Sequence, residues 1–134
     1  MASILIDSSV WIEYYRPGGP PALREAVREV LAKDLCVTAG LIVVEVLQGA
    51  RSEPDFALLK RDFSALPWLD LSVEAALEAA RLGFELARRG TPVPATDLVI
   101  AAVALAHDCQ LWHLDAHFDR ISSLAPLSTT RPGR

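Results

Sequence analysis

Apolar residues enter this chain as short runs that alternate with longer segments of helical spacing. Ile4, Leu5 and Ile6 form a run that stops at Asp7, the pattern of a buried strand whose carboxyl end opens onto polar chain. Ser8 or Ser9 caps a short helix through Tyr15, which Pro17-Gly18-Gly19-Pro20-Pro21 terminates. Over 22–33, Leu23, Ala26, Val27, Val30 and Leu31 recur at helical spacing opposite Arg24, Glu25, Arg28 and Glu29, which predicts an amphipathic helix. A strand at 35–37 leads into a nearly all-apolar helix over 38–50 in which Glu45 is the odd residue. A polar helical segment at 54–66 precedes a strand at 68–71.

Ser72 caps a long helix whose apolar stripe reads Val73, Ala76, Leu77, Ala80, Phe84 and Ala87, stopped by Arg88, Arg89, Gly90 and Pro92. Pro94 or Thr96 starts an apolar helix to about His107, placing Asp97 in its first turn. A strand at 110–114, a short helix at 117–124 and a final strand near Leu127 follow, leaving 129–134 as a mobile tail. Alternating strands and helices predict an α/β fold: one domain over 1–134, with a mainly parallel sheet of five short strands, helices on both faces and right-handed crossovers.

The length suits a single core. Hydrophobic residues make up 51% of the chain and mean hydropathy is +0.27, yet the apolar run at 98–106 is too short to cross a bilayer. The surplus apolar surface points to a covering partner, and the start of the chain has no basic, signal-like region, so a cytoplasmic protein without a membrane segment is expected. Cys36 and Cys109 lack metal or disulfide spacing and read as small buried hydrophobes. A net charge of -4 argues against coating nucleic acid by bulk electrostatics, but not against a nuclease whose metal supplies positive charge locally.

Four acids change this picture. Asp7, Glu45, Asp97 and Asp115 lie inside or against the most apolar strings, where a carboxylate is expensive unless paired, protonated or bound to a cation. In an open parallel sheet, functional groups gather beyond the strand carboxyl ends, where Asp7 and Asp115 end strands and Asp97 opens a helix. Glu45 reaches the same edge from an adjacent helix. Each acid has a plainer local reading: a turn or cap for Asp7, a helix-dipole partner for Asp97, an exposed strip with Gln48 for Glu45, and a cap for Asp115. Together, those readings require four unrelated acids at equivalent edges by chance. If they meet, oxygen-preferring Mg²⁺ or Mn²⁺ is the cation that suits them, and metal-assisted phosphodiester hydrolysis is the chemistry.

Asp7-Ser8-Ser9-Val10-Trp11-Ile12, Glu45-Val46-Leu47-Gln48-Gly49, Asp97-Leu98-Val99-Ile100-Ala101-Ala102 and Leu114-Asp115-Ala116-His117-Phe118 resemble, in order and spacing, the successive motifs of PIN-domain ribonucleases. More narrowly, the chain resembles the VapC toxins of toxin-antitoxin modules. The resemblance implies a Mg²⁺- or Mn²⁺-dependent endoribonuclease that cuts structured RNA such as tRNA or rRNA, forms a homodimer and is inhibited by a cognate VapB-type antitoxin. It implies catalytic roles for Asp7, Glu45, Asp97 and Asp115, metal ligation by Asp7, Asp97 and Asp115, and a hydroxyl role for Ser8 or Ser9. His113 departs from the Thr of many relatives; Asp119 and His117 are ambiguous neighbours. Arg51, Lys60, Arg61, Arg81, Arg88, Arg89 and Arg120 are candidate phosphate contacts, and the early helices offer apolar faces to the antitoxin. Two other classes stay open: a non-catalytic PIN-like binding module, and a metal-dependent phosphohydrolase of other substrates, although no Gly-rich phosphate loop occurs.

Overall fold

The computed structural model describes residues 2–133; Met1 and Arg134, the ends of the predicted domain and tail, lie outside them. Strands β1 (Ile4–Ile6), β2 (Cys36–Ala39), β3 (Trp68–Leu69), β4 (Gln110–Trp112) and β5 (Thr129–Thr130) form one sheet in the order β3-β2-β1-β4-β5. Every pairing is parallel. The helices are α1 (Ser8–Tyr15), α2 (Pro21–Ala32), α3 (Gly40–Leu47), α4 (Glu53–Ser64), α5 (Val73–Arg88), α6 (Ala95–Ala106) and α7 (Ala116–Ser122).

Strand β1 is central, as its uninterrupted apolar run requires: Leu5 and Ile6 are fully buried. Ile4 pairs with Cys36 on one side and Gln110 on the other, and Ile6 pairs with Trp112. The chain moves outward from β1 to β2 and β3, then returns through α5 and α6 to β4. Strand order therefore reverses between β1 and β4, where open parallel sheets leave a crevice. Helix α1 packs on α2 and α3, and α3 on α4, while α5, α6 and α7 pack on one another. Right-handed crossovers put these two groups on opposite faces of the sheet. Trp11 anchors the first group, edge-on to Phe63 at 5.0 Å. Both cysteines are free and buried.

Two expectations are corrected. The stretch expected to be a mobile tail opens with ordered chain: Thr129 and Thr130 are β5, the final strand expected near Leu127. The Leu111 amide donates to Ser128 O at 2.8 Å and the His113 amide to Thr130 O at 3.1 Å, so this polar segment satisfies the open edge of β4. Arg131 then pairs with Asp119 at 2.6 Å. An edge strand held by main-chain bonds carries little hydrophobic signal.

The second correction concerns α5. Its buried face is Ala75, Ala79, Leu82 and Leu86, while Val73, Leu77 and Phe84 of the predicted stripe are 73%, 66% and 53% exposed. Both sets have helical spacing, and close packing chose the smaller. A Cβ at Gly83 would fall 2.6 Å from Leu98 Cδ1, so α6 lies nearly against the α5 backbone, where only small residues fit.

Deleting residues 129–134 is expected to destabilise the protein by about 2–4 kcal/mol, because a buried β4 edge loses its acceptors. Urea unfolding of the full and shortened chains measures the difference.

Candidate metal centre

Asp7 follows β1 directly, and its amide continues the ladder by donating to Trp112 O at 2.9 Å. Its side chain caps α1: Oδ2 accepts the Ser9 amide at 3.0 Å and the Ser9 hydroxyl at 2.5 Å. The same hydroxyl accepts the Leu114 amide at 3.1 Å. One serine thus ties the end of β1 to the segment beyond β4 that carries Asp115. Ser8 serves a different acid, its hydroxyl donating to Glu45 Oε1 at 3.3 Å.

Asp97 stands in the first turn of α6 and Asp115 caps α7. They meet at one imidazole. His117 Nδ1 lies 2.8 Å from Asp97 Oδ2 and 3.1 Å from Asp115 Oδ1, while the His117 amide donates to Asp115 Oδ1 at 2.9 Å. Ligand atoms from Asp97, Asp115 and His117 all lie within 4.8 Å of one another. Asp7 is 3% exposed, and its second oxygen, Oδ1, has no hydrogen-bond partner.

Three of the four carboxyls, those of Asp7, Asp97 and Glu45, are raised. Burial pushes the Asp7 carboxyl above its ordinary range, with the Asp115 charge adding to it and the Ser9 hydrogen bonds opposing. Burial also raises Asp97, helped by the Asp7 and Asp115 charges and opposed by His117. Glu45 is raised by burial and by Asp7 and Asp97, against the Ser8 hydrogen bond. Confined acids of one sign, a nearby imidazole and an orphaned buried carboxylate oxygen together form a donor set that fits a divalent cation.

His113 lies outside that set. It is fully buried against Phe118, with ring centroids 5.1 Å apart, and its Nδ1 accepts the Asp115 amide at 3.1 Å. Its proton therefore sits on Nε2 when the ring is neutral, and burial lowers its pKa. The ring positions the Asp115 backbone. Asp119 lies beyond this ring, its Oδ1 3.7 Å from His113 Nε2, and its Oδ2 pairs with Arg131 at 2.6 Å. His117, which sequence reasoning left ambiguous, is the residue the fold draws in. Its signal was its place two residues after a helix-capping acid, where the capping bond folds the chain back on itself.

Among the candidate phosphate contacts, Arg61 pairs with Asp62 and Arg81 with Glu85, while Arg81 and Arg88 flank the Phe84 ring at 5.5 Å each. Arg51 instead shares with Glu45 a groove of about 480 Å³ between α1, α3 and α4.

The sequence profile described as PIN domain matches residues 4–124. The chain belongs to the PIN-domain family. Within it, the chain is 35% identical over 128 residues to Ribonuclease VapC11 of Mycobacterium tuberculosis, spanning 92% of this chain and 95% of that protein. The same fold occurs in the structure of FitAB bound to an IR36 DNA fragment, with TM-score 0.79, 19% identity, and 98% and 96% of the two chains covered. It occurs again in VapBC2 from Rickettsia felis bound to a promoter DNA fragment, with TM-score 0.77, 19% identity, and coverage of 95% and 96%. The predicted PIN-type α/β fold is therefore the observed one. Among the described residues of this PIN domain, no helix is long and apolar enough to cross a membrane.

The raised Asp7 carboxyl makes a signed prediction for the PIN domain in EDTA. A group that holds its proton more tightly when folded contributes stability below its unfolded pKa and loses it as pH rises through the higher folded value. Thermal unfolding measured from pH 4 upward is expected to show a smaller loss with rising pH in Asp7→Asn than in wild type. His113 titrates with the opposite sign; the Asp7 charge holds its pKa up, so removing that charge lowers it further and changes the pH dependence in the same direction.

Proposed function

We propose that this PIN domain is a divalent-metal-dependent endoribonuclease, the toxin of a type II toxin-antitoxin pair, hydrolysing phosphodiester bonds in structured RNA such as tRNA or rRNA. The observation that carries the reading is the buried, unpartnered Asp7 Oδ1 beside the Asp97–Asp115–His117 cluster, at the point where strand order reverses. Asp7, Asp97 and Asp115 hold the ion, which we take to be Mg²⁺ or Mn²⁺ from their oxygen donors. Bound there, it supplies Lewis-acid activation of water and compensates charge on the phosphodiester.

The residues divide the remaining work. Ser9 fixes Asp7 Oδ2 and leaves Oδ1 for ligation. Ser8 orients Glu45, whose raised pKa suits it to take a proton from the attacking water at Oε2. His113 sets the backbone on which Asp115 sits. Arg51, beside Glu45 in the groove, offers a phosphate contact that the net negative charge of the chain does not provide.

Two partners complete the reading, both in the cytoplasm with the RNA. The groove between α1, α3 and α4, lined by Trp11, Ile12, Tyr15 and Leu59, takes an apolar segment of a VapB-type antitoxin, in keeping with the likeness of this fold to VapBC-5 of Mycobacterium tuberculosis, a member of the VapBC family of toxin-antitoxin systems. A second copy of this chain covers the exposed Val73, Leu77 and Phe84 face of α5 as a homodimer.

Incubated with total cellular RNA and Mn²⁺, the wild type is expected to cut, with Asp7→Asn and Asp97→Asn slower by about 100-fold. Equal cutting by all three, or in EDTA, defeats the metal mechanism. Leu77→Glu is expected to shift the dimer to monomer in sedimentation velocity while retaining its circular dichroism; an unchanged dimer places the interface elsewhere.

A further inference from the structure

We infer that His117 is a direct ligand of the metal centre and the residue that makes the centre prefer Mn²⁺ over Mg²⁺. The inference rests on the metal-dependent reading above and adds to it a nitrogen donor. Its Nδ1 stands 2.8 Å from Asp97 Oδ2 and 3.1 Å from Asp115 Oδ1. Adjacent ligands of an octahedral ion with bonds of about 2.1 Å are about 3.0 Å apart. Nδ1 already keeps that spacing from both carboxylate oxygens without an ion, and the three ligand atoms lie within 4.8 Å of one another, so ligation asks for little movement.

The ring is also held in place. The amide of His117 is committed to Asp115 Oδ1 at 2.9 Å, which fixes the start of α7 and aims the imidazole at Asp97. An independent feature marks the same spot as a cation site: Asp7, 3% exposed, keeps Oδ1 without a partner and is close enough for its charge to act on Asp97. Without an ion Nδ1 donates to Asp97 Oδ2; ligation places the ring proton on Nε2 instead, so that Nδ1 presents its lone pair to the cation. Mg²⁺ gains little from exchanging a water for imidazole, whereas Mn²⁺ and the later divalent ions accept nitrogen readily. A site built from carboxylates alone would lack this bias.

Binding of MnCl₂ and MgCl₂ is measured by calorimetry on the full chain, alongside electron spin echo spectra of the Mn²⁺-loaded protein. Wild type is expected to show ¹⁴N modulation from a bound imidazole. In His117→Ala and His117→Gln that modulation is lost, and the Mn²⁺-over-Mg²⁺ preference falls by about tenfold with Mg²⁺ affinity changed less than about threefold. Wild-type spectra without ¹⁴N modulation, modulation that survives both substitutions, or an unchanged preference overturns the assignment, whichever variant folds better. Asp97→Asn separates the two levels: loss of both ions there upholds the carboxylate centre even when the histidine proposal fails, and undiminished binding overturns the centre itself.

Discussion

The two parallel pairings of β1 are the constraint on which the site depends. Because Ile4 and Leu5 register with Cys36 and Val37, and Ile4 to Ile6 with Gln110 to Trp112, the ends of β1 and β4 emerge side by side. The Ser9 hydroxyl then joins them, donating to Asp7 and accepting from the amide of Leu114. A one-residue slip of β1 would turn Ile6 toward the opposite face and break that three-point link. The precision of the carboxylate cluster comes from a sheet with a fully buried centre, not from the loops that carry it.

Against that rigid frame, the acids are in tension with their setting. Asp7 and Asp97 are buried, their carboxyls are raised by desolvation and by neighbouring acids, Asp115 for Asp7 and both Asp7 and Asp115 for Asp97, and one carboxylate oxygen of Asp7 is left bare. Hydrogen bonds from Ser8, Ser9 and His117 relieve part of this, and a divalent cation held there would relieve the rest. The fold holds its acids in an unfavourable arrangement, a common property of sites whose groups must stay reactive.

Helix α5 shows the same economy at the surface. It has two apolar faces, and the smaller one, opened by Gly83, admits α6 closely while Val73, Leu77 and Phe84 remain outside. Large exposed side chains on a helix whose core contacts are already complete add apolar surface to a chain whose mean hydropathy is +0.27.

The sequence by itself determined the alternation of strands and helices, the burial of Ile4–Ile6, the Ser72 cap of α5, and three acids at strand ends and helix starts with Glu45 on a neighbouring helix; the expected Ser8 or Ser9 cap of α1 is instead Asp7, which accepts the Ser9 amide. These follow from local chemistry: periodicity, caps and the expense of isolated carboxylates. Only the tertiary structure decided which face of α5 is buried, since two stripes of equal spacing differ only in how near a neighbour can approach. It alone made Thr129–Thr130 a strand, because main-chain hydrogen bonds leave no hydrophobic signature. It also separated the histidines, sending His113 into the core and bringing His117 between Asp97 and Asp115, because residues twenty positions apart meet only where two helix starts share one edge of a sheet.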